Sequence, residues 1–306
     1  MGISVQLLVV APYFGWDVLR DFQELFRYPF MQHAFEAGTI VALTAGIIGY
    51  FVVLRGLSFA AHALSHIGFA GGTGAVLLGL PLIGGLLAFT IAAGAVMGAL
   101  GQRLRGRDVT IGIVMAWSLG LGVLFLALFN GAASTAVSIL FGTILGITSR
   151  DVVLTAIAGA LTLAALAIMY RPLLFASLDE EVAQAKGVPV QALSVAFMVI
   201  LAVAVSEAVQ VVGVLLIFAL IVTPAAIAER FTVRPSRGLL LSAALAILFT
   251  WAGLAIGYYL PYPVSFFITT IAFWSYVAAR LIGYLRLRLA SARPRPWREE
   301  QLAHSP

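Results

Sequence analysis

The chain reads as a series of apolar runs of about 20 residues, separated by short segments that hold most of its charge. A run of that length crosses the hydrocarbon core as a helix. Lipid offers the backbone no partners, so a spanning segment must close its own hydrogen bonds, as a helix does. The pattern predicts spans over residues 35–54, 57–78, 82–100, 109–129, 152–170, 190–205, 211–228, 239–259 and 264–285. Residues 135–147 are apolar but short for a crossing, and read as a surface or re-entrant helix. Asp151 is placed to cap the span that follows, and Arg171-Pro172 to end it. The two spans after residue 190 are expected to join near Glu207 and Gln210. Boundaries at 135–147 and 205–211 are soft, so the count is eight or nine. Trp16 to Tyr28 alternates charge with large apolar groups, the pattern of a helix lying in the interface. The expected fold is an all-α polytopic membrane protein. It has an N-terminal segment (1–34), a single transmembrane helical bundle (35–285) and a basic tail (286–306).

Composition sharpens this picture. Of the 306 residues 62% are hydrophobic and 10% charged, against about 25% charged in soluble domains. The absence of cysteine excludes disulfides and thiolate ligands. Thirty glycines predict closely packed and broken helices. Met1 to Ala11 is apolar but lacks the basic start of a cleavable signal. The net charge of +5 reflects topology, so no nucleic-acid partner is expected. Arg103, Arg105 and Arg107 share one loop, Arg171 and Lys186 border another, and Arg230, Arg234 and Arg237 fill a third. Residues 130–134 and 260–263 are neutral. The positive-inside rule puts the arginine loops and the C-terminus in the cytoplasm. Nine crossings then leave the N-terminus outside; eight bring it inside. No glycine-rich loop ends in the Lys-Ser/Thr pair of a phosphate-binding site. The chain is therefore read as no enzyme, and any ATP hydrolysis falls to another subunit.

The strongest chemical signal is LSFAAHALSHIGFAG, residues 57–71, which holds two of the four histidines. His62 and His66 are four residues apart and share a helix face. His66 lies roughly 14 Å from the inner end of its span at 1.5 Å per residue. Ionisable groups at such depth are costly and mark a path or a site, and neutral imidazoles bind transition metals. Two nitrogens are an incomplete shell for zinc, so other groups or water must complete it. The competing reading has both histidines bonded to backbone or to a neighbouring helix. Arg55 anchors the inner end, while Ser65 either supports the site or bonds its own backbone. Glu207 is the acidic residue of 190–228. It sits at an outer mouth and attracts cations, or is a solvated turn residue. Residues 177–187, SLDEEVAQAKG, offer a contact for a cytosolic partner, with a solvated loop as the alternative. There Asp179 caps a short helix from Glu180 to Lys186, Gly187 ends it, and Val182, Ala183 and Ala185 give a small apolar surface. Phe266, Phe267, Phe273, Trp274 and Tyr276 read as aromatic packing and interface anchoring.

Several stretches, in order, resemble the membrane subunit of the zinc/manganese/iron ABC uptake transporters, the ABC-3 family, over roughly residues 30–285. They are PFMQHAFEAG (29–38), VVLRGLSFAAHALSHIGFAG (52–71), GRDVTIGIVMAWSLGLGVLFL (106–126), LLFASLDEEVAQAKGVPV (173–190) and VVGVLLIFALIVTPAAIAERF (211–231). The resemblance implies a type II importer-like bundle in the cell (inner or plasma) membrane. Implied partners are cytosolic ATP-binding cassette subunits, an extracytoplasmic solute-binding protein, and a second permease copy or a paralogue. It implies no permanently bound cofactor, and a transported zinc or manganese ion. It also implies that Ser177, Leu178, Asp179, Glu180, Glu181, Ala183 and Gly187 belong to the ATPase-docking segment, and that the second helix supplies metal ligands. His66 matches the family's histidine, whereas His62 stands where aspartate is usual. That change removes a hard oxygen ligand and tilts the site toward zinc over manganese, leaving Glu207 as a compensating acid. The expected function is ATP-driven uptake of a divalent transition metal, zinc ahead of manganese. The alternatives are a permease for a metal chelate such as a siderophore, and an ATP-independent transporter or channel.

Overall fold

The computed structural model describes residues 25–99, 107–129, 138–260 and 262–291. The expected interfacial helix before residue 25, the loop with Arg103 and Arg105, the neutral loop at 130–134 and the tail beyond 291 lie outside the described residues. The described chain is all helical: α1 Pro29–Leu54, α2 Ser58–Leu77, α3 Leu82–Ala99, α4 Arg107–Ala127, α5 Ser149–Leu178, α6 Glu180–Ala185, α7 Val190–Val212, α8 Val214–Phe231, α9 Pro235–Tyr259 and α10 Val264–Ser291. Nine of these are long, and eight are apolar enough to cross a membrane by length and composition. The exception is α2, whose histidines, serines, threonine and glycines lower its hydropathy. It is sheltered instead: 14 of its 20 residues are buried by the other helices.

Successive long helices run antiparallel, and polar contacts fix their register. Ser242 on α9 donates to the Gly46 carbonyl on α1 at 2.7 Å. Thr90 on α3 meets Ser206 on α7 at 2.5 Å, and Gln191 reaches the Ala99 carbonyl at 2.5 Å. The helix centres are joined by small residues. The α carbons of Gly71 on α2 and Gly85 on α3 face each other so closely that a β carbon on either would strike the other's carbonyl oxygen. Backbones at that separation gain dispersion contacts all along the crossing, the usual glue between helices in lipid.

Several boundaries differ from the sequence reading. α1 begins six residues early, at Pro29, because proline fits the first helical turn, where an N–H has no partner. Thr148, not Asp151, caps α5: it accepts from the Asp151 N–H, and Asp151 answers the Thr148 N–H at 3.0 Å. Pro172 does not end α5, which continues to Leu178. One lost backbone bond is tolerated in a long apolar helix with neighbours to hold it. The turn expected near Glu207 and Gln210 is absent; α7 runs unbroken through both residues. The break falls at Gly213, whose φ of +84° only glycine adopts easily. Gly142, at φ +75°, packs backbone to backbone on that corner. The segment around it is not a surface helix. It dips inward, with Ile139, Ile144 and Ile147 buried, and a 3-10 turn at Ile144–Gly146.

Candidate functional site

Helix α2 places the two imidazoles side by side. The ring centroids of His62 and His66 are 4.6 Å apart, with the planes at 85°. Phe218 of α8 packs against His62 with centroids 4.7 Å apart. The Nδ1 atom of each histidine is buried and has no hydrogen-bond partner in the protein. Buried ring nitrogens are ordinarily paired, so both point to a missing partner such as water or an ion. At the metal–nitrogen distance of about 2.0–2.1 Å, one ion bridges nitrogens up to roughly 4 Å apart. The two rings are neighbours on one helix face, with centroids 4.6 Å apart. The reading in which both histidines bond to protein fails at these two nitrogens. Ser65, in contrast, donates to the Ala61 carbonyl at 3.2 Å, so it serves its own backbone.

Glu207 is not in a solvated turn. It is inside α7 and 8% exposed, held there because the helix continues to Gly213. One of its oxygens, Oε1, is buried without a hydrogen bond. Among the described residues no group of three His, Asp or Glu side chains is arranged to hold a metal ion. Glu207 therefore does not complete the histidine shell, and the expected compensation at that shell is not built. It faces Gly159 of α5 and Thr44 of α1 instead.

Arg55 does not anchor at a surface. It is 8% exposed and reaches into the bundle, donating to Ser194 Oγ on α7 at 2.8 Å and to Ser177 Oγ on α5 at 3.4 Å. Its guanidinium also stacks over Phe197, 5.7 Å from the ring centroid. Arg55 therefore ties the start of the histidine hairpin to both arms that carry α6.

The α6 segment forms nearly as expected. Asp179 Oδ1 accepts from the Val182 N–H at 2.9 Å, and the helix ends at Ala185 with Lys186 as cap and Gly187 at φ +83°. Glu180 is half-buried and Glu181 exposed. The expected apolar surface is different. Ala183 is fully buried against this chain, while Leu178 and Val182 are exposed at 64% and 43%. Of the expected apolar surface, Val182 and Ala185 face outward, next to Leu178 at the end of α5, whereas Ala183 seats the helix against its own chain.

Sequence reasoning missed Thr44, Thr162 and Phe218. Thr162 had a signal: Thr155, Gly159, Thr162 and Leu166 form the buried stripe of α5 at helical spacing. Phe218 had none, since only tertiary packing brings α8 to α2.

Residues 27–283 match the model of the ABC 3 transport family. The manganese transport system membrane protein MntC of Halalkalibacterium halodurans is 31% identical over 234 residues, covering 76% of this chain and 80% of that protein. MntC of Listeria innocua is 32% identical over 235 residues, covering 76% and 84%. Among solved structures, PsaBC from Streptococcus pneumoniae in complex with Fab superposes with a TM-score of 0.77 at 29% identity, covering 86% of this chain and 95% of that one. The match takes in the histidine helix, the α6 segment and nearly every described residue, and the protein belongs to the ABC 3 transport family.

Proposed function

We propose that this multi-pass membrane protein is the permease subunit of an ATP-driven importer of divalent transition metals, with manganese as cargo. The observation that carries it is the pair of adjacent, edge-to-face imidazoles on a sheltered helix, each with a buried ring nitrogen lacking a partner. A cation crossing hydrocarbon needs groups that replace its water and release it again. Two neutral nitrogens bind reversibly and supply that step. The manganese reading draws on the printed names of the MntC relatives. A second reading, zinc, is favoured by His62, which supplies nitrogen where the family usually has a carboxylate.

The subunit carries cargo and leaves ATP hydrolysis to separate chains. Cytosolic ATPase subunits dock on α6, a solute-binding protein delivers metal at the opposite end, and a second permease copy or paralogue completes the metal shell. Arg230, Arg234 and Arg237 then face the cytoplasm together with the C-terminus, and nine crossings leave the N-terminus outside.

Reconstitution with the ATPase and the binding protein in liposomes tests this reading. Uptake of free manganese that requires ATP supports it. Uptake only of a chelate, or uptake that persists without the ATPase, contradicts it.

A further inference from the structure

Three buried polar groups that the histidine path leaves unused, one of them on Glu207, lie on mutually packed helices. Glu207 Oε1, Thr44 Oγ1 and Thr162 Oγ1 are buried and have no hydrogen-bond partner. The residues are 8%, 4% and 3% exposed and come from three different helices, α7, α1 and α5. Gly159 makes the space between them. A β carbon there would stand 3.2 Å from Thr44 Oγ1 and 3.8 Å from Glu207 Oε1. Thr162 follows three residues later on the same buried stripe. On one side Glu207 lines a void of about 10 Å³ shared with Thr44, at the lower limit for a single water. On the other side it lines a cavity of about 290 Å³ that extends to Gln210, Thr155 and the exposed Thr143. Glu207 thus connects, through a largely apolar cavity, with the end of the bundle opposite the arginine loops.

The unpaired groups here are two hydroxyl oxygens and one carboxylate oxygen, and Asp151 adds a second carboxylate to the lining of the larger cavity. Hydroxyl and carboxylate oxygens suit manganese and other hard cations, while imidazole suits zinc. A buried carboxylate oxygen that lacks a hydrogen bond is unfavourable alone and favourable around a cation. We infer that Glu207, Thr44 and Thr162 form a second cation site, selective for hard divalent ions and separate from the histidine pair. The inference rests on the metal-importer reading. It supplies the hard ligands that His62 removes from the family's usual position, but on different helices. Manganese entering through the larger cavity is held at Glu207 before it meets the imidazoles.

The test is manganese binding to the full permease–ATPase complex in nanodiscs without ATP, read by the electron paramagnetic resonance signal of free Mn²⁺, alongside zinc binding by competition with a chelating dye. The His62→Ala/His66→Ala variant keeps a manganese site and loses zinc affinity. Glu207→Gln weakens manganese binding by about tenfold or more and leaves zinc binding unchanged. Thr162→Val and Thr44→Val each weaken manganese binding by about threefold, short of the effect of losing a full ligand. A Glu207→Gln complex that binds manganese like the parent overturns the inference, as does loss of all manganese binding in the histidine variant. If Glu207→Gln fails to assemble, unchanged manganese affinity in both threonine variants overturns it. A parent complex that binds manganese in a Glu207-dependent way but transports no metal would refute the importer reading and leave this site standing.

Discussion

Helices α2 and α4 run side by side, are nearly equal in length, and are built on opposite terms. α2 buries 14 of its 20 residues, among them Ser65 and Thr73, and draws its close contacts from alanine and glycine. α4 exposes Val109, Ile113, Trp117 and Val123, each more than half exposed. A helix that faces lipid must be apolar all around. A helix that faces protein can carry imidazoles and hydroxyls, because its neighbours replace the solvent it lost. The histidines therefore lie on the long helix whose mean hydropathy falls below that of the other eight described. Polarity at depth, together with small residues for packing, sets apart the helix that we propose handles the cargo.

Backbone contact gives the largest expected contrast between the two helices. Gly71 meets Gly85 backbone to backbone, so Gly71→Leu forces α2 and α3 apart. Overpacking of this kind costs about 1–3 kcal/mol or more, and detergent-extracted complex should be lost or unfold at clearly lower temperature. Gly120 on α4 has open space where its β carbon would stand. Gly120→Leu should therefore leave the thermal midpoint within about 0.5 kcal/mol of the parent. Equal effects at the two positions would end the distinction between a packed and a lipid-facing helix.

The next effect concerns Arg55, which joins the α2 hairpin to the arms of α6. Arg55→Ala removes two hydrogen bonds to serine hydroxyls and the stacking on Phe197. Hydrogen bonds to charged groups contribute about 1.5–3 kcal/mol, so the midpoint should fall by several degrees. Arg55→Lys should recover only part, because an ammonium cannot fork to both serines. No change in either variant would show that the arms are held by packing alone.

A smaller contrast separates exposed from buried residues of the α6 segment. Leu178→Ser with Val182→Ser should reduce metal-stimulated ATP hydrolysis severalfold and leave the thermal midpoint within about 0.5 kcal/mol. Ala183→Trp should act the other way and destabilise the permease, by about 1–3 kcal/mol, before any partner binds. Charge reversal at Glu180 and Glu181 should do least, since exposed ion pairs are worth about 0–1 kcal/mol. ATPase assays paired with thermal unfolding of the isolated permease separate these outcomes. Normal coupling in the double serine variant would move the ATPase contact elsewhere.

These contrasts also show which features the sequence carried. Helix positions were legible because period, length and apolar content are local properties. The histidine pair was legible because histidine at depth is rare and costly. The error at Glu207 has a physical origin: a glutamate in an apolar stretch looks like a turn unless the far helices that bury it are known. Thr44, Gly159 and Ile40 surround it from α1 and α5, and no local pattern announces that meeting. Arg55 was misplaced for the same reason. An arginine at a helix end normally reaches for the headgroups, and only Ser177 and Ser194, more than 120 residues away, draw it inward. Ala183 was read as outward-facing because a six-residue helix has too few turns to reveal its buried side.

The central claim is that cargo passes over His62 and His66. Its most direct test is ATP-dependent manganese and zinc uptake by proteoliposomes containing the His62→Ala/His66→Ala permease with its ATPase and binding protein. The variant should assemble, since the imidazole Nδ1 atoms bond to no other group of the protein, although loss of the His62 contact with Phe218 lowers its thermal midpoint. Initial uptake of either metal should fall by about tenfold or more, the scale of losing metal ligands. Uptake of both metals at the parental rate by a correctly assembled variant would contradict the account.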